Sequence, residues 1–177
     1  MASIEELTTL VTPPPAPRLA PGDWDACDSV LGFVTPSDYR VVIDTYGAGI
    51  FGGFVWFMLP QSNMKRLNML TEMSAQRNVL REMGEFEEVP YDIESLIPCG
   101  ATNNGDTVFW WTNGAADSTR WTIVVHSGRD PQWSVYRGNL LGFLTDIFSG
   151  RYKCEVFPEG FPSGSDFYFS PIGETSD

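Results

Sequence analysis

Between Leu96 and Tyr136 the chain passes through four short runs rich in aromatic and β-branched residues: Leu96–Thr102, Thr107–Thr112, Trp121–His126 and Gln132–Tyr136. Residues of these types fit a pleated, half-buried surface. The gaps between the runs carry turn signals, Asn104-Gly105 first, then Asn113-Gly114, then Gly128-Arg129-Asp130-Pro131. Asn-Gly supplies the positive φ that a tight hairpin requires. Sequential strands joined by short turns pair as an antiparallel meander, since parallel neighbours need a crossover of a dozen or more residues. Along the third run Trp121, Ile123 and Val125 point one way and Thr122, Val124 and His126 the other. Trp110 and Trp111 are adjacent and so face opposite sides, one expected in the core and the other exposed.

Helices are read around this meander. Ser3 caps a short one over 3–11, with Glu6 three positions on. Five prolines between Val11 and Pro21 predict a stiff, extended linker that separates this arm (1–21) from the body. Asp23 caps a helix from Trp24 to Leu31, stopped by Gly32, with Trp24, Cys27, Val30 and Leu31 on one face. Thr35 is read as the next cap, with Pro36 at the first helical position and Asp38 completing a capping box. Tyr39, Val42, Ile43 and Tyr46 form that helix's apolar stripe. The run 54–59 predicts a buried strand ending at Pro60. Residues 65–83 predict the longest helix, with Leu67, Leu70, Met73, Leu80 and Met83 turned inward. Asn139 caps a last helix whose Leu140, Phe143, Leu144, Ile147 and Phe148 share a face. In the tail, Phe157-Pro158 and Phe161-Pro162 are aromatic–proline pairs able to clip onto the body. The order of elements predicts an α+β fold, a mainly antiparallel mixed sheet packed against helices and covered on one face.

Composition bounds the class. The chain has 177 residues, 42% of them hydrophobic and 14% aromatic, which suits one domain with a packed core. It has no apolar run long enough to span a bilayer. Its opening residues lack the basic and apolar regions of a signal peptide, so a cytoplasmic protein is expected. The net charge is −12, from 23 acids against 11 bases spread along the chain. Such a field repels phosphate backbones and anionic membranes, which argues against nucleic-acid or membrane binding and admits a basic protein partner.

Residues that could carry chemistry are few. Gly47-Ala48-Gly49-Ile50-Phe51-Gly52 matches G-x-G-x-x-G, but a helix precedes it and a strand follows, the reverse of a dinucleotide site. The glycines are read instead as a helix end and a tight turn. His126 is the single histidine, with neither G-x-S-x-G nor H-E-x-x-H to accompany it. Cys27, Cys99 and Cys154 are far apart and odd in number, and are read as buried thiols rather than a disulfide framework or zinc site. Asn103-Asn104-Gly105-Asp106 lacks calcium-loop spacing and is read as a hairpin turn. No nucleophile, base and orienting group come together, so no catalytic residue, metal or cofactor is assigned. The densest acidic cluster is Glu85, Glu87, Glu88, Asp92 and Glu94, either a solvated loop or a docking surface. A binding protein is expected to need an aromatic anchor beside such charge. Trp110, Trp111 or a tail phenylalanine is the candidate.

Thr35-Pro-Ser-Asp-Tyr-Arg40 resembles the L-P-x-D-Y-R helix start of the SUKH superfamily, the Smi/Knr type, with Thr35 in place of Leu. Val41–Gly49 is similar to that family's helix ending in Y-G-x-G. Ile97–Asp106 and Thr107–Trp111 resemble its strand-turn-strand, Leu141–Arg151 its F-L-x-x-L-x-G helix, and Phe157–Pro162 the closing segment of a bacterial branch. Cys99 departs from the aromatic or small residue expected there. The resemblance covers roughly residues 22–162, leaving 163–177 as a tail. It implies a non-catalytic α+β domain that binds proteins. Bacterial members are commonly immunity proteins that occlude a cognate toxin, often a nuclease or deaminase, in the producing cell. The family also includes a yeast cell-wall-assembly regulator, so a regulatory or scaffold module without a toxin partner is the alternative. The oligomeric state is left open.

Overall fold

The computed structural model describes residues 1–173. Among them are five α-helices: α1 (Ile4–Leu10), α2 (Trp24–Leu31), α3 (Ser37–Tyr46), α4 (Met69–Met83) and α5 (Leu140–Phe148). Seven strands form one sheet: β1 (Gly49–Phe51), β2 (Val55–Phe57), β3 (Leu96–Thr102), β4 (Thr107–Trp111), β5 (Thr122–His126), β6 (Trp133–Tyr136) and β7 (Phe169–Pro171). Their order is β6-β5-β4-β3-β2-β1-β7, and every neighbouring pair is antiparallel. The α+β architecture and the meander are as the sequence predicts. The glycine-rich stretch does the backbone work expected of it. Gly47 ends α3 at φ 71°, where a Cβ would lie 2.3 Å from the Arg18 carbonyl oxygen. Gly52 and Gly53, at φ 58° and 65°, turn β1 into β2, and Phe54 N–H closes the turn on Phe51 O.

The sheet is covered on both faces, not one. Val108 and Trp110 of β4 and Ile123 and Val125 of β5 point into the main core, beneath α3 and α5. Phe109 of β4 points the other way and joins Leu96 and Leu80 of α4 in a second, smaller cluster. Helix α4 thus lies against the opposite face. It is shorter than predicted: Lys65–Leu67 form a separate 3-10 turn and Asn68 caps α4 by accepting from Thr71 N–H (3.1 Å). The break arises because the chain first runs beside Leu59, with Leu59 N–H donating to Leu67 O and Met69 N–H to Leu59 O. Met69 is consequently buried while Leu70, expected inward, is exposed. On α2, Val30 is likewise exposed.

The Thr35–Arg40 segment is a polar corner rather than a capping box. Helix α3 begins at Ser37, with Pro36 at the cap position. Thr35 Oγ1 donates to Asp28 Oδ1 (2.8 Å) and accepts from Arg40 Nε (2.8 Å), while Arg40 Nη2 pairs with Asp28 Oδ2. Asp38 reaches across the core to accept Leu141 N–H (3.1 Å) at the start of α5. Burial raises its pKa, and backbone donors at Leu141 and Leu140 oppose that rise. Tyr39, fully buried, donates from its hydroxyl to Met58 O (2.6 Å). Four of the six motif positions, Thr35, Asp38, Tyr39 and Arg40, therefore tie α2, α5 and the end of the β2 segment to α3.

The N-terminal arm is docked, contrary to the separation its prolines suggest. Leu7 and Val11 are both 0% exposed, and α1 packs on α5. Tyr46 donates its hydroxyl to Val11 O (2.6 Å), and Glu6 pairs with Arg151 (2.6 Å). The prolines span a loop whose ends are both held. In the tail, Phe157 and Phe161 pack on Phe54, as expected of aromatic clips. Beyond them β7 adds to the β1 edge, with Phe169 against Tyr46 and Phe51. Leu7→Ala is expected to lower unfolding stability by roughly 2–4 kcal/mol in urea titrations, the cost of a core cavity. A loss near zero would show that the arm is not part of the body.

Candidate functional site

The second face of the sheet builds the site. Register places Trp56, Ala101, Thr107, His126 and Trp133 in one cross-strand row on this face. Phe109, Val124 and Val135 form the next row, and Leu96, Trp111 and Thr122 the one after. Helix α4 covers the β3 side of these rows. After α4 the chain turns at once, with Phe86 and Glu87 N–H both donating to Met83 O (2.9 Å), and then crosses toward β6. Tyr91 fixes that crossing: its ring packs edge-on against Trp111 (5.2 Å between centroids) and tilted against Trp133 (5.1 Å). An aromatic placed between two indoles adds packing energy beyond the area it buries, about 0.5–1.5 kcal/mol per pair.

The acidic cluster divides into two parts. Glu94 is paired, with Arg81 at 2.5 Å and Arg77 at 3.5 Å. Asp92 accepts from Ser95 Oγ (2.8 Å) and caps the 3-10 turn Ile93–Ser95. These two carboxylates hold the loop down. Glu85, Glu87 and Glu88 are exposed, and none has an ion-pair partner among the described residues. Between them Phe86 is 86% exposed, the most open aromatic side chain among the exposed large hydrophobics. Glu87, Glu88, Pro90, Pro131 and Trp133 line a cleft of about 490 Å³ beside it.

Neither tryptophan of the β4 pair can serve as the anchor. Trp110 is 1% exposed on the opposite face, edge-on to Tyr39 and tilted against Trp121. Trp111 lies on the correct face but is half-buried under Tyr91 rather than free. The two indoles face opposite sides and Trp110 enters the core as expected, but Trp111 is not exposed, because the loop folds back over the second face. The exposed aromatic is Phe86, which the sequence reading passed over. Its signal was a phenylalanine flanked by Glu85 and Glu87, outside any apolar periodicity. In the tail, Phe167 is 41% exposed.

His126 completes the picture of this face. Its ring lies 4.3 Å from Trp133, and its Nε2 is buried without a hydrogen-bond partner among the described residues. Burial depresses its pKa below the ordinary 6.5, partly opposed by the charges of Glu87, Asp106 and Asp130. Asp106 itself is occupied, accepting from Thr102 Oγ1 (2.6 Å) and Gly128 N–H (3.0 Å), which makes 103–106 a structural turn. All three cysteines are free thiols; Cys99 and Cys154 are buried as expected, whereas Cys27 is only half-buried, and desolvation raises the pKa of each. Among the described residues no group of three His, Cys, Asp or Glu side chains is placed to hold a metal, and no helix is long and apolar enough to cross a membrane. The arrangement offers an acidic surface beside one projecting aromatic ring. The chain matches no family model, no curated protein and no solved structure.

The depressed His126 pKa has a defined consequence for stability. The fold favours the neutral ring, so its contribution is complete above pH 6.5 and is lost as pH falls from there toward the lowered folded value. His126→Phe keeps a ring against Trp133 and removes a buried unpartnered nitrogen. In urea unfolding between about pH 5 and 7, the variant is expected to gain on the wild type steadily as pH falls. A constant difference across that range would refute the buried neutral ring.

Proposed function

We propose that this chain is a non-catalytic protein-binding domain that acts as an immunity protein, occluding a cognate toxin domain that carries a basic surface. The observation that carries the reading is the tip of the acidic loop: Glu85, Glu87 and Glu88 exposed and without ion-pair partners among the described residues, around the open ring of Phe86. The resemblance of Thr35–Gly49 and Leu141–Arg151 to the SUKH superfamily supports the same class. A nuclease toxin presents cations for phosphate, so carboxylates opposite them steer encounter and suppress wrong orientations. The net charge of −12 adds long-range attraction to the same partner. Charge governs how fast the partners meet. Retention requires desolvated apolar contact, and Phe86 is the residue positioned to enter a pocket.

The test is co-expression with the toxin-like product of the adjacent gene. Survival together with a purified complex is expected. Cell death at the rate seen without the chain, with no complex, overturns the reading. Within a complex, changing Glu85, Glu87 and Glu88 together to Gln is expected to slow association about tenfold at low salt and much less at high salt. Phe86→Ala is expected to act on dissociation instead, weakening binding by about 2 kcal/mol, roughly thirtyfold. Unchanged rate constants in both variants would take the loop out of the interface.

A further inference from the structure

The second sheet face is closed unevenly. Toward the C-terminal end of α4, Leu80 meets Leu96 and Phe109 in an apolar seal. Nearer the start of the helix, Glu72 and Gln76 stand one turn apart beside the sheet. With Trp56, Ala101 and Thr107 of the sheet they line a cleft of about 430 Å³, which also takes in Arg66 and the 102–106 turn. Trp56, Ala101 and Thr107 are direct cross-strand neighbours, so the small Ala101 leaves a recess between the indole and the threonine. The volume lies at the small end of the roughly 300–1,000 Å³ typical of ligand sites.

The charged walls of this cleft are held by the fold. Thr107 Oγ1 donates to Gln76 Oε1 (3.4 Å), and Gln76 Nε2 donates to Glu72 Oε2 (3.2 Å). A hydrogen-bond chain from the sheet thus orients the Glu72 carboxylate, which has no ion-pair partner among the described residues. Arg66 has none either, and the two do not pair with each other. The position of Arg66 follows from the break before α4. Leu67 is buried, and its carbonyl accepts Leu59 N–H (2.7 Å), which holds the turn Lys65–Leu67 in place. In one unbroken helix residues 66 and 72 would lie about 120° apart around the axis. The break brings both to the same cleft.

Trp56 points the same way. It is 8% exposed, and its Nε1 is buried with no hydrogen-bond partner among the described residues. A buried donor left unpaired is destabilising, and an acceptor arriving in the cleft would relieve it. A cation and a carboxylate that share a cleft without touching match a ligand carrying both charges. A simple anion is repelled by Glu72 and a simple cation by Arg66. An uncharged sugar would satisfy neither charge.

We propose that this cleft binds a small zwitterion of the amino-acid class, its carboxylate held by Arg66 and its ammonium by Glu72. None of the loop-tip residues Glu85 to Glu88 lines it, so the site stands apart from the toxin reading.

The amide and indole NMR signals of the isotope-labelled full chain read binding directly. The probes are glycine, β-alanine and γ-aminobutyrate, zwitterions of increasing reach. At least one is expected to shift the Trp56 indole signal and the Ala101 and Thr107 amides saturably, with a dissociation constant on the order of 0.1–1 mM. Acetate and methylammonium each carry one of the two charges and are expected to bind about tenfold more weakly. Arg66→Gln and Glu72→Gln are each expected to weaken the zwitterion by about the same factor, with thermal unfolding showing the fold retained. Arg66 is exposed, so its variant tests the site without disturbing the core. Lys65→Gln removes a neighbouring cation that does not line the cleft and is expected to change nothing. The absence of a saturable shift with all of these zwitterions overturns the proposal. So does acetate or methylammonium binding as tightly, D-glucose binding in their place, or an Arg66→Gln variant that binds like the wild type.

Discussion

Everything else in this molecule follows from a central sheet that must bury both of its faces. The Phe109-Trp110-Trp111 run places large rings alternately up and down, and no side of such a strand can face water cheaply. Trp110 is taken into the main core against Tyr39, beneath the helices of the first face. Phe109 and Trp111 then need a second cover, which Leu80 of α4 and Tyr91 supply. The loop after α4 is drawn across the sheet to provide that cover. Its acidic tip is a by-product of where the loop must go, and the tip's position over the β6 end is fixed by Tyr91 rather than by its charges.

The first face solves a different problem, the joining of segments distant in sequence. Arg40 lies 5.5 Å over the Trp24 ring and also pairs with Asp28, so one guanidinium braces α2 on α3. Asp38 serves the α5 N-terminus alongside the cap from Asn139, which satisfies amides that a helix end otherwise leaves open. Glu6, Arg151, Asp146 and Tyr136 make a continuous chain of contacts from α1 through α5 to β6. These pairs are partly exposed, so their energetic share is modest, and their role is to fix which surfaces meet.

What could be read from the sequence was whatever depends on local alternation and local caps. The meander, the caps at Ser3, Asp23 and Asn139 and the turning glycines are decided within a few residues, and they appear as expected. Strands β1 and β7 were not legible, because three residues hold no periodicity and Phe169 finds its place only through Gly49, which leaves room for its ring. The docked arm was hidden for the same reason. A proline-rich stretch reads as a spacer unless one knows that Leu7 and Val11 have a pocket to enter. In the candidate site the five acids were visible as a cluster. Their division into Glu94 and Asp92, which are bonded, and Glu85, Glu87 and Glu88, which have no ion-pair partner among the described residues, depends on the loop folding back toward Arg77 and Arg81. The same fold-back buries Trp111 and leaves Phe86 outside.

A surface made this way differs physically from an acidic tail of equal charge. A tail offers its carboxylates to any cation and loses chain entropy on every contact, which erodes affinity. Here the loop is pinned at Glu94 by two arginines and at Tyr91 by two indoles, so the ordering cost was met when the chain folded. Fixed charges discriminate by position: a cation gains full benefit only at the spacing that Glu87, Glu88 and the Trp133 wall present together. On the proposed reading Phe86 adds a second requirement, an apolar recess next to that cation, which an ordinary basic surface does not supply. Selectivity in such a surface comes from meeting both conditions at once, and each is set by the packing of the second sheet face rather than by the number of acids in the chain.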